Sequence, residues 1–226
     1  MNLNIHSALG LPFVYRLWVE LIGQRRDRYV NDFVQPRPGQ RILDIGCGTG
    51  EVLEYLPEVD YVGIDHNPKY IEHAKTRYGK RGSFRCEDIS DVVLSEPESY
   101  DIVMANGLLH HIDDTTASRL LSMAKLVLKP QGYMVTFDGC FTPNQQLLKR
   151  FWLRMDRGKF VRTEAGYLAL ASPSFTRVDS FIREDFYTAA FFPYTIIVMK
   201  AYASVLVDSP AAARSPVAAA ISKMHE

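Results

Sequence analysis

Arg41-Ile42-Leu43-Asp44-Ile45-Gly46-Cys47-Gly48-Thr49-Gly50 decides the fold of this chain. Its first half, RILDI (41–45), is a short apolar run of the kind that forms a buried strand. Its second half spaces glycines at Gly46, Gly48 and Gly50, so the backbone can turn tightly and approach a ligand with no Cβ in the way. The next residues, with Val52, Leu53, Tyr55 and Leu56, predict a helix. A second apolar run, YVGID (61–65), ends in Asp65, where a carboxylate can accept hydrogen bonds from both hydroxyls of a ribose.

The alternation of short apolar runs and amphipathic segments continues outward from this loop. SFRCED (83–88), YDIVMA (100–105) and GYMVTFD (132–138) read as further strands. Asn67-Pro68 announces a helix carrying Ile71, Ala74 and Tyr78, and Asp113-Asp114 one carrying Leu120, Leu121, Ala124, Val127 and Leu128, stopped by Lys129-Pro130-Gln131-Gly132. Strand and helix in turn give a doubly wound α/β, Rossmann-like domain with a parallel sheet covered on both faces. Upstream, Leu11 to Val34 has helical spacing, as one bent helix or two meeting near Gly23. Downstream, Thr142-Pro143 starts a helix through Met155, and Thr163 caps another over Glu164 to Ala171. The runs FTRVDSFI (175–182) and TIIVMKAYASVLV (195–207) then pair as an antiparallel unit at the sheet edge. The expectation is a single domain over 1–207 with seven strands, the last antiparallel. Within it 1–36 is a helical cap, 39–138 the cofactor-binding core, 142–173 a substrate-side helical insertion and 174–207 the C-terminal strands, and 208–226 is a weakly anchored tail.

Composition narrows the function classes. The 226 residues are 47% apolar and 23% charged, which is globular. Lys plus Arg (26) balance Asp plus Glu (26), so no basic excess points to nucleic acid. Cys47, Cys86 and Cys140 lack the spacing of a zinc or redox site and suggest a reducing compartment. The opening stretch has no basic leader before its apolar residues, and no apolar run approaches the length of a membrane span, so a cytoplasmic protein without stable membrane insertion is expected.

Three readings of the glycine loop compete. A purely structural turn does not account for the strand before it or the carboxylate at Asp65. A dinucleotide site calls for G-x-G-x-x-G, whereas this loop is one residue shorter and is followed by Glu51, badly placed beside a pyrophosphate. The third arises from a resemblance: LDIGCGTG (43–50), and the order of elements from about residue 39 to 138, resemble the class I S-adenosylmethionine-dependent methyltransferases. The resemblance implies S-adenosylmethionine as cofactor. It places Asp44, Gly46, Cys47, Gly48 and Gly50 around the methionine part, with Asp44 near the ammonium. Asp65, with His66 beside it, then holds the ribose, Asp88 and Ile89 meet the adenine, and Asn106 and LLHHI (108–112) line the same cleft. The stretch after the fourth strand, Asn106-Gly107-Leu108-Leu109, lacks the N-P-P-Y-like run of enzymes that methylate base amino groups. A small polar metabolite, methylated most readily on oxygen, is the expected acceptor. A quinone or lipid acceptor and a cofactor-binding module without catalysis are the alternatives.

For the chemistry, a hydroxyl acceptor needs its proton removed, and a neutral imidazole does this near pH 7. His110 and His111 are adjacent, so one side chain is expected to face the cleft. The resemblance favours His111, followed by an aliphatic residue, with Asp138 at the end of the fifth strand orienting its ring. HHIDD (110–114) is not expected to bind a metal, because adjacent ligands rarely chelate one ion. The basic stretch 149–162 nominates Arg154, Arg157 and Arg162 as contacts to an anionic acceptor, against the plainer reading of a solvated helix face.

Overall fold

The computed structural model describes residues 21–89, 97–155, 158–189 and 192–204. One sheet runs through them in the order β3-β2-β1-β4-β5-β8-β7. Its strands are β1 (Arg41–Ile45), β2 (Asp60–Asp65), β3 (Gly82–Cys86), β4 (Tyr100–Asn106), β5 (Leu128–Phe141), β7 (Arg177–Arg183) and β8 (Ile196–Tyr202), while the short β6 (Arg162–Thr163) pairs with β5 off this path. β1 to β5 are parallel, and β8 runs antiparallel between β5 and β7. The expected antiparallel final pair is thus present. Strand order reverses between β1 and β4, and in such sheets the crevice outside the carboxyl ends at the reversal is where ligands bind.

β1 sits at that point because its side chains suit burial on both faces. Ile42 packs with Leu53, Met104 and Val135 on one face, and Leu43 and Ile45 pack with Ala117, Leu120, Leu121 and Ala124 on the other. The flanking helices start where their caps dictate. The Asn67 side chain accepts the Lys69 N–H at the head of α2 (Pro68–Tyr78), Asp113 accepts from Thr116 at the head of α3 (Asp114–Val127), and Thr163 from Gly166 at the head of α5 (Glu164–Ala171). Upstream, Gly23 at φ 64° breaks the chain before α1 (Arg26–Tyr29), which continues as a π turn over Val30–Val34. The part of the expected cap that precedes residue 21, and the tail 208–226, lie outside the described residues.

Three local expectations are corrected. The segment after the glycine loop is only a 3-10 turn, Glu51–Glu54, because Pro57 lacks an N–H and bars the helical region to Leu56. The Pro-Gly stop at 129–132 lies inside β5, where the register slips: Tyr100 pairs with Leu128 but Ile102 with Tyr133, a bulge that tolerates Pro130. The helix expected from Thr142 begins later, as α4 (Leu147–Met155), after a turn in which Asn144 takes φ 56°. Among the described residues no helix is long and apolar enough to cross a membrane, and no group of three or more His, Cys, Asp or Glu could hold a metal ion.

Candidate functional site

The glycine loop leaves β1 with positive φ at Gly46 (76°), Gly48 (57°) and Gly50 (78°), a path that side chains with a Cβ rarely take. It is tied to the end of β2 at several points. The N–H groups of Gly46 and Cys47 both donate to the Ile64 carbonyl, at 2.8 and 3.0 Å. Asp65, 9% exposed, accepts the Gly48 N–H through Oδ2 at 3.0 Å and the Asn67 N–H through Oδ1 at 2.8 Å. One carboxylate therefore fixes both the glycine loop and the start of α2, and each oxygen keeps a lone pair for a ligand.

Beside this junction lies a cavity of about 370 Å³, within the range of small-ligand sites. Gly46, Asp65, His66, Glu87, Asp88 and Ile89 form one wall, and Leu108, His111, Ile112, Thr116 and Phe160 the other. Four sequence-nominated cofactor residues after the loop, Asp65, His66, Asp88 and Ile89, thus meet at one place. Leu108 and Ile112 belong to the LLHHI stretch expected along this cleft, whereas Glu87, Thr116 and Phe160 were not nominated. Nothing in the sequence joins Phe160 to a loop 50 residues earlier.

Asp44 lies deeper, 2% exposed. The Tyr61 hydroxyl donates to its Oδ2 at 2.7 Å, while Oδ1 has no hydrogen-bond partner among the described residues. Burial pushes its carboxyl up to about 7, Tyr61 and Arg26 acting in the opposite direction and Asp65 in the same one. Asn106 is not on the wall of the main cavity. It lines a smaller recess with Arg26, Tyr29, Val52 and Phe137, and its Oδ1 is also unpartnered. Glu51, nominated only as an obstacle to pyrophosphate, pairs with Arg26 through Oε2 at 3.1 Å and leaves Oε1 buried without a donor. Buried acceptors normally find donors. Three without one, close to the glycine loop, suit a ligand that brings N–H groups, as the ammonium of a methionine moiety does.

The histidines divide differently from the expectation. Asp138, 1% exposed, pairs with His110 and not with His111: its Oδ1 lies 2.8 Å from His110 Nδ1 and accepts the His110 N–H at 3.1 Å. Leu109–His111 is a 3-10 turn that holds the two rings in contact, 4.2 Å between centroids, with His110 buried against Asp138 and His111 at the cavity. His110 is packed so tightly that a Cβ on Gly158 would fall 2.1 Å from its Cδ2. His111 lines the cavity.

The arginines separate as well. Arg162 is engaged within the fold. Its Nε and Nη2 donate to Asp114, Nη1 to the carbonyls of Leu109 and Phe160, and Nη2 also to that of Ile112. The guanidinium is a clamp that closes the histidine turn onto the segment around Phe160. Arg154 is exposed on α4 and lines neither recess. Arg157 lies outside the described residues.

Residues 42–132 match the model of a methyltransferase domain. The chain is 28% identical over 127 residues to O-methyltransferase cnsE of Penicillium expansum, covering 53% of this chain and 45% of that protein. It is 29% identical over 99 residues to a ubiquinone biosynthesis O-methyltransferase of Xanthomonas euvesicatoria, 42% of this chain and 41% of that one. The chain thus spans less than half the length of these curated relatives. Among solved structures, phosphoethanolamine N-methyltransferase 2 of Haemonchus contortus, in complex with phosphomonomethylethanolamine and S-adenosylhomocysteine, aligns with a TM-score of 0.64 at 16% identity, over 80% of this chain and 52% of that chain. A TehB-like methyltransferase of Corynebacterium glutamicum aligns at 0.58 and 18% identity, over 78% and 87%. At these identities the likeness is one of fold.

Proposed function

Because this chain belongs, through its methyltransferase domain at 42–132, to the class I S-adenosylmethionine-dependent methyltransferases, we propose that it moves a methyl group from that cofactor to an oxygen of a small polar metabolite. The observation that carries the reading is the set of buried acceptors left open around the glycine loop, Asp44 Oδ1, Glu51 Oε1 and Asn106 Oδ1, next to a cavity walled by Asp65, Asp88 and Ile89. The open acceptors of Asp44, Glu51 and Asn106, with the Asp65 carboxylate, suit an ammonium and two ribose hydroxyls.

The cofactor, when bound, supplies an electrophilic sulfonium methyl. Asp44 and Asn106 would hold the ammonium, with Cys47 and Gly48 following the backbone of the same moiety. Asp65 would take the ribose hydroxyls beside His66, and Asp88 and Ile89 the adenine. His111 removes the acceptor's proton, being the histidine on the cavity wall. His110 and Asp138 hold the turn that presents it, and much of the rate gain comes from keeping acceptor and methyl in near-attack geometry.

Calorimetry with S-adenosylhomocysteine and with NAD tests the cofactor, and NAD binding as tight or tighter overturns it. Incubation with methyl-labelled cofactor and a fractionated metabolite extract tests the transfer. Cofactor binding with no label passed to any fraction would favour the alternative of a module without catalysis. A quinone or lipid acceptor is the second reading, favoured by the apolar outer face of α4, and label recovered only in the lipid fraction would select it.

A further inference from the structure

α4 (Leu147–Met155) is oriented the opposite way from most surface helices. Leu147 is 85% exposed, Leu148 55%, Phe151 52% and Met155 58%, while Leu153 alone on the helix is fully buried. At about 100° per residue these four exposed side chains fall within one arc of roughly 100°, so they form a continuous apolar stripe directed at solvent. A soluble monomer scatters exposed apolar residues singly, and a contiguous patch marks a contact surface.

The charges around the stripe identify what it contacts. Arg154 and Arg150 follow one edge of the arc, and both are exposed. Lys149, on the inner flank, is paired with Glu184. No acidic residue occurs from Gly139 to Met155. A two-fold pairing of this helix with its own copy would set these arginines against each other with no carboxylate on the helix to receive them. An apolar stripe bordered by exposed arginines, Arg154 and Arg150, the latter with its guanidinium 5.5 Å from the centre of the Phe141 ring, has the composition of a helix lying in a lipid interface. Leu153 packs against Gly139 on β5, and Trp152 against Phe192 at 5.1 Å between ring centroids, so the helix is seated on the sheet and not hanging from it.

We propose that α4 docks the protein on an anionic lipid surface, its apolar stripe entering the headgroup boundary and Arg150 and Arg154 meeting lipid phosphates. This is peripheral attachment, independent of which acceptor the site methylates. The test is sedimentation of the full chain with vesicles of equal phosphatidylcholine and phosphatidylglycerol, and with pure phosphatidylcholine. The wild type is expected to pellet with the anionic vesicles and stay largely free of the neutral ones. Phe151→Asp with Met155→Asp should lower the bound fraction by roughly tenfold or more, and Arg150→Gln with Arg154→Gln should remove the preference for anionic lipid. Melting curves confirm that each variant folds, and binding of S-adenosylhomocysteine reports separately on the cofactor site, so its failure leaves the vesicle result standing. The proposal is overturned if the wild type ignores anionic vesicles or the Asp variant pellets like the wild type. It is also overturned if the wild type is a dimer that the Asp variant dissociates while vesicles stay bare, which would assign the stripe to a second copy.

Discussion

Asp44→Asn should make the ligand-free protein more stable at alkaline pH and spoil its cofactor site at the same time. Asp44 is buried, and burial raises its carboxyl from an ordinary 3.8 to about 7. The folded protein therefore binds this proton more tightly than the unfolded chain. The associated stability is fully present below about 3.8, declines as pH rises toward 7, and is gone above it. The full difference corresponds to about 4 kcal/mol at 1.36 kcal/mol per pKa unit, of which roughly 2 to 3 kcal/mol falls between about pH 5 and about pH 8, since the unfolded carboxyl titrates at about 3.8. Asparagine keeps an acceptor for the Tyr61 hydroxyl, which in the wild type bonds Oδ2 at 2.7 Å, and never has to ionise. In urea titrations at about pH 5 and about pH 8, the wild type should lose this amount relative to the variant. Calorimetry should meanwhile show S-adenosylhomocysteine binding weaker in the variant by about 1.5 to 3 kcal/mol, the range for a hydrogen bond to a charged group. A constant stability gap between the two proteins at both pH values would refute the buried-carboxylate reasoning, and unchanged ligand affinity would refute the placement of the ammonium.

Asp65→Ala should cost cofactor binding about 1.5 to 3 kcal/mol and also loosen the glycine loop, since Gly48 and Asn67 lose their acceptor; normal affinity by calorimetry would mean the ribose lies elsewhere. His111→Ala should lower kcat by about 10² to 10⁴ and abolish the acidic limb of its pH profile. His110→Ala and Asp138→Asn should act chiefly on the melting temperature, through the turn they hold together. If instead the His110 variant loses the acidic limb and the His111 variant keeps it, the two exchange roles. Arg162→Ala should destabilise the fold by roughly 1 to 3 kcal/mol in urea denaturation, because the part-buried carbonyls of Leu109 and Ile112 lose a charged donor. Unchanged stability with a raised acceptor KM would return Arg162 to the substrate side.

The sequence by itself determined the sheet and the position of the cofactor cleft. Both are written in local periods and caps: apolar runs short enough for strands, Asn67, Asp113 and Thr163 before their helices, and glycines at 46, 48 and 50 that permit one kind of loop. The resemblance to class I S-adenosylmethionine-dependent methyltransferases nominated Asp65, Asp88 and Ile89, and the structure brings them to one crevice at the carboxyl ends of the parallel strands. Only the tertiary structure decided which neighbour each charged group would meet. Spacing cannot say that Asp138 reaches His110 rather than His111, since the two rings lie in contact and the choice belongs to the strand packed behind them. Nor can it say that Arg162 bonds carbonyls 50 and 53 residues away, or that burial pushes the Asp44 carboxyl up to about 7 against the hydrogen bond it accepts from Tyr61. The outward face of α4 was equally hidden. Its stripe of Leu147, Leu148, Phe151 and Met155 has the period of a core-facing helix, and a period fixes which residues share a face but not whether the rest of the chain covers it.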